Sequence, residues 1–160
     1  MIFQSAIRAL LPVFIIVGGL AGCSSTATQA VTSGEARPVD VGSRAARVAY
    51  EQVGSPYVYG GNSPRGFDCS GLVQFSYSKA GRAVPRTTGA LWQNATPVPR
   101  SDIRAGDILF FNVDGKVSHV GLYLGKSRFV HAPSSGKFVS VASLDSPYYS
   151  RSLVRAGRLR

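Results

Sequence analysis

A chain of 160 residues with two cysteines and two histidines has room for one domain with a real core, and too few cysteines for a disulfide-built scaffold. Lysine and arginine number 18 against 8 aspartate and glutamate, a formal charge of +10. That excess suits a polyanionic partner, but no basic repeat, helix-turn-helix pattern or aromatic-basic interleaving is present, so nucleic acid is not an expected partner.

Arg8 supplies a positive n-region, residues 9–20 are apolar apart from Pro12 and two glycines, and Leu20-Ala21-Gly22-Cys23 closes the stretch on small residues. The run is short for a membrane span and ends like a cleavage site, which makes residues 1–22 an expected signal peptide. Leu-Ala-Gly-Cys resembles the lipobox of bacterial lipoproteins. The resemblance implies thioether lipidation of Cys23, cleavage before it, and a lipid bilayer held through the acyl chains, each buried methylene adding about 0.8 kcal/mol. Ser24 stands where an aspartate would imply inner-membrane retention in enteric-type bacteria. The expected address is therefore that of an exported lipoprotein of the outer membrane, facing the periplasm. Cys69 is then the sole free thiol, and stability must come from packing without an intramolecular disulfide.

Residues 23–42 are expected to carry the lipidated cysteine and a tether rich in Ser, Thr, Ala and Gly, on the order of 20 Å long. Beyond the leader, 17 basic residues face 8 acidic ones. The domain is expected over residues 43–160. Ser43 is the expected N-cap of a helix over 43–53, stopped by Gly54-Ser55-Pro56. Residues 57–61 read as an extended piece entering a glycine turn. A largely buried helix is predicted from Asp68 or Cys69 to Ala80, with Gly81 following, and a short one over 87–94. After Pro99 the pattern changes to short apolar runs at 108–111, 117–124, 127–132 and 137–141, separated by Asp114-Gly115, Gly125 and Ser135-Gly136. This is the pattern of an antiparallel meander, with a last strand over 153–159. Helices first and strands afterwards indicate an α+β domain, its N-terminal helices packed on a C-terminal antiparallel sheet.

Chemistry concentrates at three residues. The first turn of a helix lowers a thiol's pKa, and Cys69 stands at a helix start. The free N–H groups there could receive an oxyanion. Asp68 fits an N-cap at least as well as a substrate contact. His119, on a predicted strand, is a candidate base that could form an ion pair with Cys69. His131 on the next strand could orient it; Asp107 is the other candidate, although its Ala105-Gly106-Asp107 setting favours capping. A Cys-His-His zinc site is permitted by ligand type, but no metal-binding spacing accompanies it, and neither metal nor cofactor is expected.

Gly54-Ser-Pro-Tyr-Val-Tyr-Gly-Gly61, Gly66-Phe-Asp-Cys-Ser-Gly-Leu-Val73, Pro85-Arg-Thr87, Ala105-Gly-Asp-Ile-Leu-Phe-Phe111, His119-Val-Gly-Leu-Tyr-Leu-Gly125 and Val130-His-Ala132 together resemble the NlpC-type cell-wall peptidases, which are papain-like cysteine enzymes. Six motifs in order and at matching spacing make the resemblance specific over residues 54–132, and the tail is similar to the small outer-membrane lipoprotein members. Tyr59 departs from the tryptophan of many members. The resemblance implies Cys69 as nucleophile, His119 as base and His131 as the orienting third member. It also implies Tyr57, Asp68 and Ser70 on the oxyanion and substrate side, and a cleft lined by Arg86 and Thr87. It implies a monomeric endopeptidase acting on the peptide stems or cross-links of peptidoglycan. A catalytically silent wall-binding lipoprotein and an amidase or acyltransferase on the same triad are the alternatives.

Overall fold

The computed structural model describes residues 40–159. The expected leader, the lipidation at Cys23 and the tether as far as residue 39 lie outside the described residues.

Helix α1 spans Val41–Tyr50. It starts earlier than its sequence suggests because Asp40, not Ser43, caps it. One Asp40 carboxylate oxygen accepts the N–H of Gly42 at 2.9 Å and of Ser43 at 3.3 Å, and the other accepts the Ser43 hydroxyl at 3.0 Å. A carboxylate at the positive end of the helix dipole makes an effective cap. Ala45, Ala46 and Ala49 form its buried side. Helix α2, Cys69–Lys79, is capped by Asp68 and ends before Gly81, whose φ of 93° only glycine adopts without strain. Between them, directly after the expected glycine turn, β1 (Asn62–Ser63) and β2 (Gly66–Phe67) make a short antiparallel hairpin that was not expected from the sequence. Thr87 caps α3, Thr88–Asn94, accepting from the Ala90 N–H at 3.3 Å.

The main sheet contains β3 (Thr96–Val98), β4 (Ile108–Val113), β5 (Lys116–Gly125), β6 (Arg128–His131), β7 (Ser140–Ser143) and β8 (Leu153–Arg158), ordered β3-β8-β4-β5-β6-β7 with every pairing antiparallel. The meander β4 to β7 follows the predicted pattern, except that β7 lies a few residues later than expected. Residues 137–139 pair elsewhere: the N–H groups of Gly54 and Tyr57 donate to the carbonyls of Val139 and Lys137, and the Val139 N–H donates to Ser55. That pairing ties the segment before the hairpin to the sheet.

Ile108-Leu109-Phe110-Phe111 is buried throughout. A strand presents alternate residues to opposite faces, so four consecutive buried positions require cover on both. Ile108 and Phe110 pack in the core that holds Ala45, Leu72 and Tyr77 from α1 and α2. Leu109 and Phe111 pack instead with Phe129, Leu144, Ala156 and the partly buried Tyr149. Tyr149 belongs to α4, Pro147–Ser152, a helix not expected from the sequence. Fully burying each of these large apolar side chains contributes about 1.5–3 kcal/mol.

Candidate active site

The thiol is placed by a loop wound around Asp68. Its carboxylate accepts the Gly71 N–H at 2.6 Å, which caps α2, and the Gly60 N–H at 3.0 Å. Arg86 grips both oxygens, at 2.9 and 2.7 Å, and also donates to the Ser70 hydroxyl at 3.0 Å and the Gly61 carbonyl at 3.3 Å. Burial alone would raise the Asp68 carboxyl, but the Arg86 bonds and charge and the Gly71 and Gly60 amides hold it below its usual range. Gly71 lets this turn close: a Cβ there would overlap the Gly61 carbonyl oxygen. The bidentate fork and the cap together fix the first turn of α2, and with it Cys69.

The histidines are placed by the sheet. His119 pairs with Phe111, and the register shifts between Phe111 and Asn112, where β5 carries one extra residue, Ser118. Leu122 pairs with Val130. One further step along that register sets His131 opposite Gly121 and diagonal to His119, within side-chain reach. A Cβ at Gly121 would overlap the Phe129 ring, which packs there beside His131. The result is a contact of 2.8 Å between His119 Nε2 and His131 Nδ1. His119 is 9% exposed and His131 3%, so the pair is effectively out of water. Their rings pack with Phe111 and Phe129 respectively, at 5.9 and 5.0 Å between centroids.

Cys69, His119, His131 and Tyr57 line one cleft of about 400 Å³, together with Ser118, Lys137, Tyr148 and Tyr149. The Cys69 sulfur lies 3.9 Å from the Thr88 hydroxyl and 3.9 Å from the Ser118 carbonyl. Burial pushes the thiol up, an effect only partly offset by the Val120 and Ser70 amides and the Thr88 hydroxyl. Burial pushes His119 down to about 4. It pushes His131 down to about 3, helped by the neighbouring charges of His119 and Lys137. Desolvation in this cleft therefore works against both charges of the ion pair expected from the sequence. Because His131 occupies Nε2 of His119, Nδ1 is the nitrogen left to receive a proton. The Tyr57 phenol is raised by burial, then by the charges of Cys69 and Asp68, so it stays an O–H donor.

The expected residues thus divide. Cys69, His119, His131 and Tyr57 converge on the cleft. Asp68 and Ser70 do not line it: their side chains are engaged with Arg86 and the capping network. Arg86, expected along the cleft wall, instead braces the loop behind the thiol, and Thr87 serves as a helix cap. Asp107, 2% exposed, accepts the Arg104 N–H at 2.8 Å and a bidentate contact from Arg158. It is a turn and ion-pair residue, and the side chain hydrogen-bonded to His119 is the imidazole of His131. Thr88, Ser118 and Tyr149 had no signal in the sequence, since nothing local marks a residue that reaches a site through tertiary contact. Among the described residues, no three His, Cys, Asp or Glu side chains converge as a metal site requires.

The family model described as "NlpC/P60 family" matches residues 54–158. The chain is 39% identical over 115 residues to the murein DD-endopeptidase MepH of Escherichia coli strain K12, covering 68% of this chain and 42% of that protein. It is 38% identical over 115 residues to the probable endopeptidase YafL of the same strain, covering 68% and 46%. The chain thus spans less than half of either relative. Among solved structures, an NlpC/P60 family protein from Bacillus cereus ATCC 10987 superposes with a TM-score of 0.70 at 31% identity, over 76% of this chain and 41% of that one. The NlpC/p60 domain of the peptidoglycan hydrolase SagA superposes with a TM-score of 0.65 at 34% identity, over 74% of this chain and 98% of that one.

Proposed function

The chain belongs to the NlpC/P60 family, and from that premise we propose that it is a cysteine endopeptidase hydrolysing peptide bonds of peptidoglycan. The observation that carries the reading is the cleft lined both by Cys69, at the head of α2, and by the hydrogen-bonded pair His119–His131. In this reading His119 Nδ1 takes the Cys69 proton as sulfur attacks the scissile carbonyl, so charge develops only with bond formation. The free amides of the first turn of α2 and the Tyr57 hydroxyl face the developing oxyanion. The imidazolium then protonates the leaving amine, and water releases the acyl group from sulfur. Among bonds, a D-alanyl–diaminopimelate cross-link is the favoured target, in line with the name of the E. coli relative. A γ-D-glutamyl–diaminopimelate bond is its rival. Digestion of purified muropeptides with mass analysis of the products tests both: monomers from cross-linked dimers support the first, and stems cut at glutamate the second. Intact substrate after prolonged incubation with folded protein would overturn the endopeptidase reading, and amine-capped products in the presence of an acceptor amine would turn it into acyl transfer.

In this reading the pair rests neutral, and the pH profile follows from that. His119 must be unprotonated to act, and its folded pKa is depressed, so activity is present above that value and lost as pH falls through it. The acid limb is therefore expected toward about 4, rather than at the ordinary histidine value of about 6.5. No basic limb should appear below the raised thiol value. A kcat/KM profile on a soluble muropeptide, with folding checked by circular dichroism at each pH, measures this. A bell, with an acid limb from loss of thiolate and a basic limb from loss of an imidazolium proton, would establish an ion pair instead.

The basic surface suits the free carboxylates of peptide stems. Cys23 is the proposed lipid attachment point, on the strength of its lipobox-like context. Cys23→Ser is expected to move the protein out of the detergent-extracted outer-membrane fraction and leave kcat/KM on small muropeptides unchanged. A variant that stays in that fraction with wild-type mass would remove Cys23 from the reading.

A further inference from the structure

Helix α4 brings one more polar group to the histidine pair. The Tyr149 hydroxyl oxygen lies 3.4 Å from His131 Nε2, on the opposite side of the ring from the 2.8 Å contact with His119. Its ring is held edge-on between Phe129 at 4.9 Å, His131 at 5.4 Å and Phe111 at 5.6 Å, and Ser146 caps its helix by accepting the Tyr149 N–H. We propose that Tyr149 is a positioning residue, whose hydroxyl oxygen keeps the His131 proton on Nε2 and so keeps the Nδ1 lone pair of His119 turned to the thiol. This rests on the reading of His119 as the base.

A neutral imidazole carries one N–H, and the three contacts form a chain with only two consistent directions. With the His131 proton on Nε2, its Nδ1 accepts from the Nε2–H of His119, and His119 Nδ1 presents a lone pair to Cys69. With the proton on His131 Nδ1, every bond reverses. His119 Nδ1 then carries hydrogen and cannot take the thiol proton. When its own hydrogen is turned away, the Tyr149 oxygen accepts from Nε2–H, which is the first arrangement. Tyr149 is only half-buried and lines the cleft, so its own hydroxyl hydrogen can turn to cleft water while the lone pair stays on the imidazole. The choice matters because burial keeps both histidines neutral, and only neutral rings have a tautomer to be chosen.

Tyr149→Phe in the full chain removes the oxygen and preserves the ring contacts. The expected result is a loss of about five- to tenfold in kcat on muropeptides at unchanged KM and unchanged thermal midpoint, the scale of one hydrogen bond. In the same protein without substrate, ¹⁵N shifts of the two imidazoles should move from a single Nε2–H tautomer at His131 toward a mixture. Wild-type kcat with wild-type ¹⁵N shifts overturns the proposal. A change confined to KM also overturns it, by making Tyr149 a substrate contact. The nitrogen shifts need no turnover, so they decide the role of Tyr149 even if the unmodified protein cleaves no muropeptide, a result that would count against the endopeptidase reading alone.

Discussion

Replacing Cys69 with alanine is expected to abolish muropeptide hydrolysis, with a fall of at least about 10⁴-fold, since a lost nucleophile leaves only positioning and electrostatic residues behind. The fold should not follow it. Alanine is a strong helix former at the first position of α2, and the Asp68 cap, the Arg86 fork and the Gly61–Gly71 contact do not use the sulfur. The thiol's own neighbours, the Thr88 hydroxyl and the Ser118 carbonyl, stand at 3.9 Å, the reach of weak sulfur contacts. Thermal midpoint and binding to isolated cell walls should therefore match the unmodified chain. Turnover above about 1% of wild type would sink the thiolate mechanism. The chain would then be read as a wall-binding protein that keeps a peptidase fold.

Replacing His119 with alanine is expected to cost about 10²- to 10⁴-fold in kcat, the range for removal of a general base. Its pH dependence should change character as well. Without the imidazole, thiolate forms only by direct loss of the proton to solvent, and burial has raised that pKa. The residual rate should climb with pH across the neutral range where the unmodified enzyme is flat. Some stability should go with it, because His131 loses its 2.8 Å partner and Phe111 a packed ring. His119→Gln, which keeps most of the volume and a polar tip, separates that structural cost from the chemical one. His131→Ala should retain more rate than His119→Ala, since it orients the base without touching the thiol. Equal losses at both positions would mean that His131 handles the proton itself. A pH-flat residue of activity in His119→Ala would remove His119 as the base.

Cys69, His119 and His131 stand out before the fold because each has a local signature. Asp68 before Cys69, with Gly81 beyond Ala80, marks the two ends of α2, and capping is decided within one turn of chain. His119 and His131 sit in alternating apolar runs separated by Gly125, so neighbouring strands followed from pattern alone. Six motifs in order carried the family reading further than composition or charge could. What lay beyond the sequence depends on contacts between distant segments. The bulge at Phe111/Asn112 and the pairing Leu122↔Val130 decide that the two imidazoles meet. Arg86 belongs to a motif whose resemblance implies the cleft wall, and only the fold closes it on Asp68 instead. Strand β8 enters the sheet between β3 and β4, a pairing across more than 40 residues that no local propensity encodes. Tyr149 lies on a helix of six residues, too short for an amphipathic period to show. Periodicity and capping are properties of consecutive residues. Register, burial on two faces and the protonation of buried imidazoles arise only when segments far apart in the chain exclude water from one another.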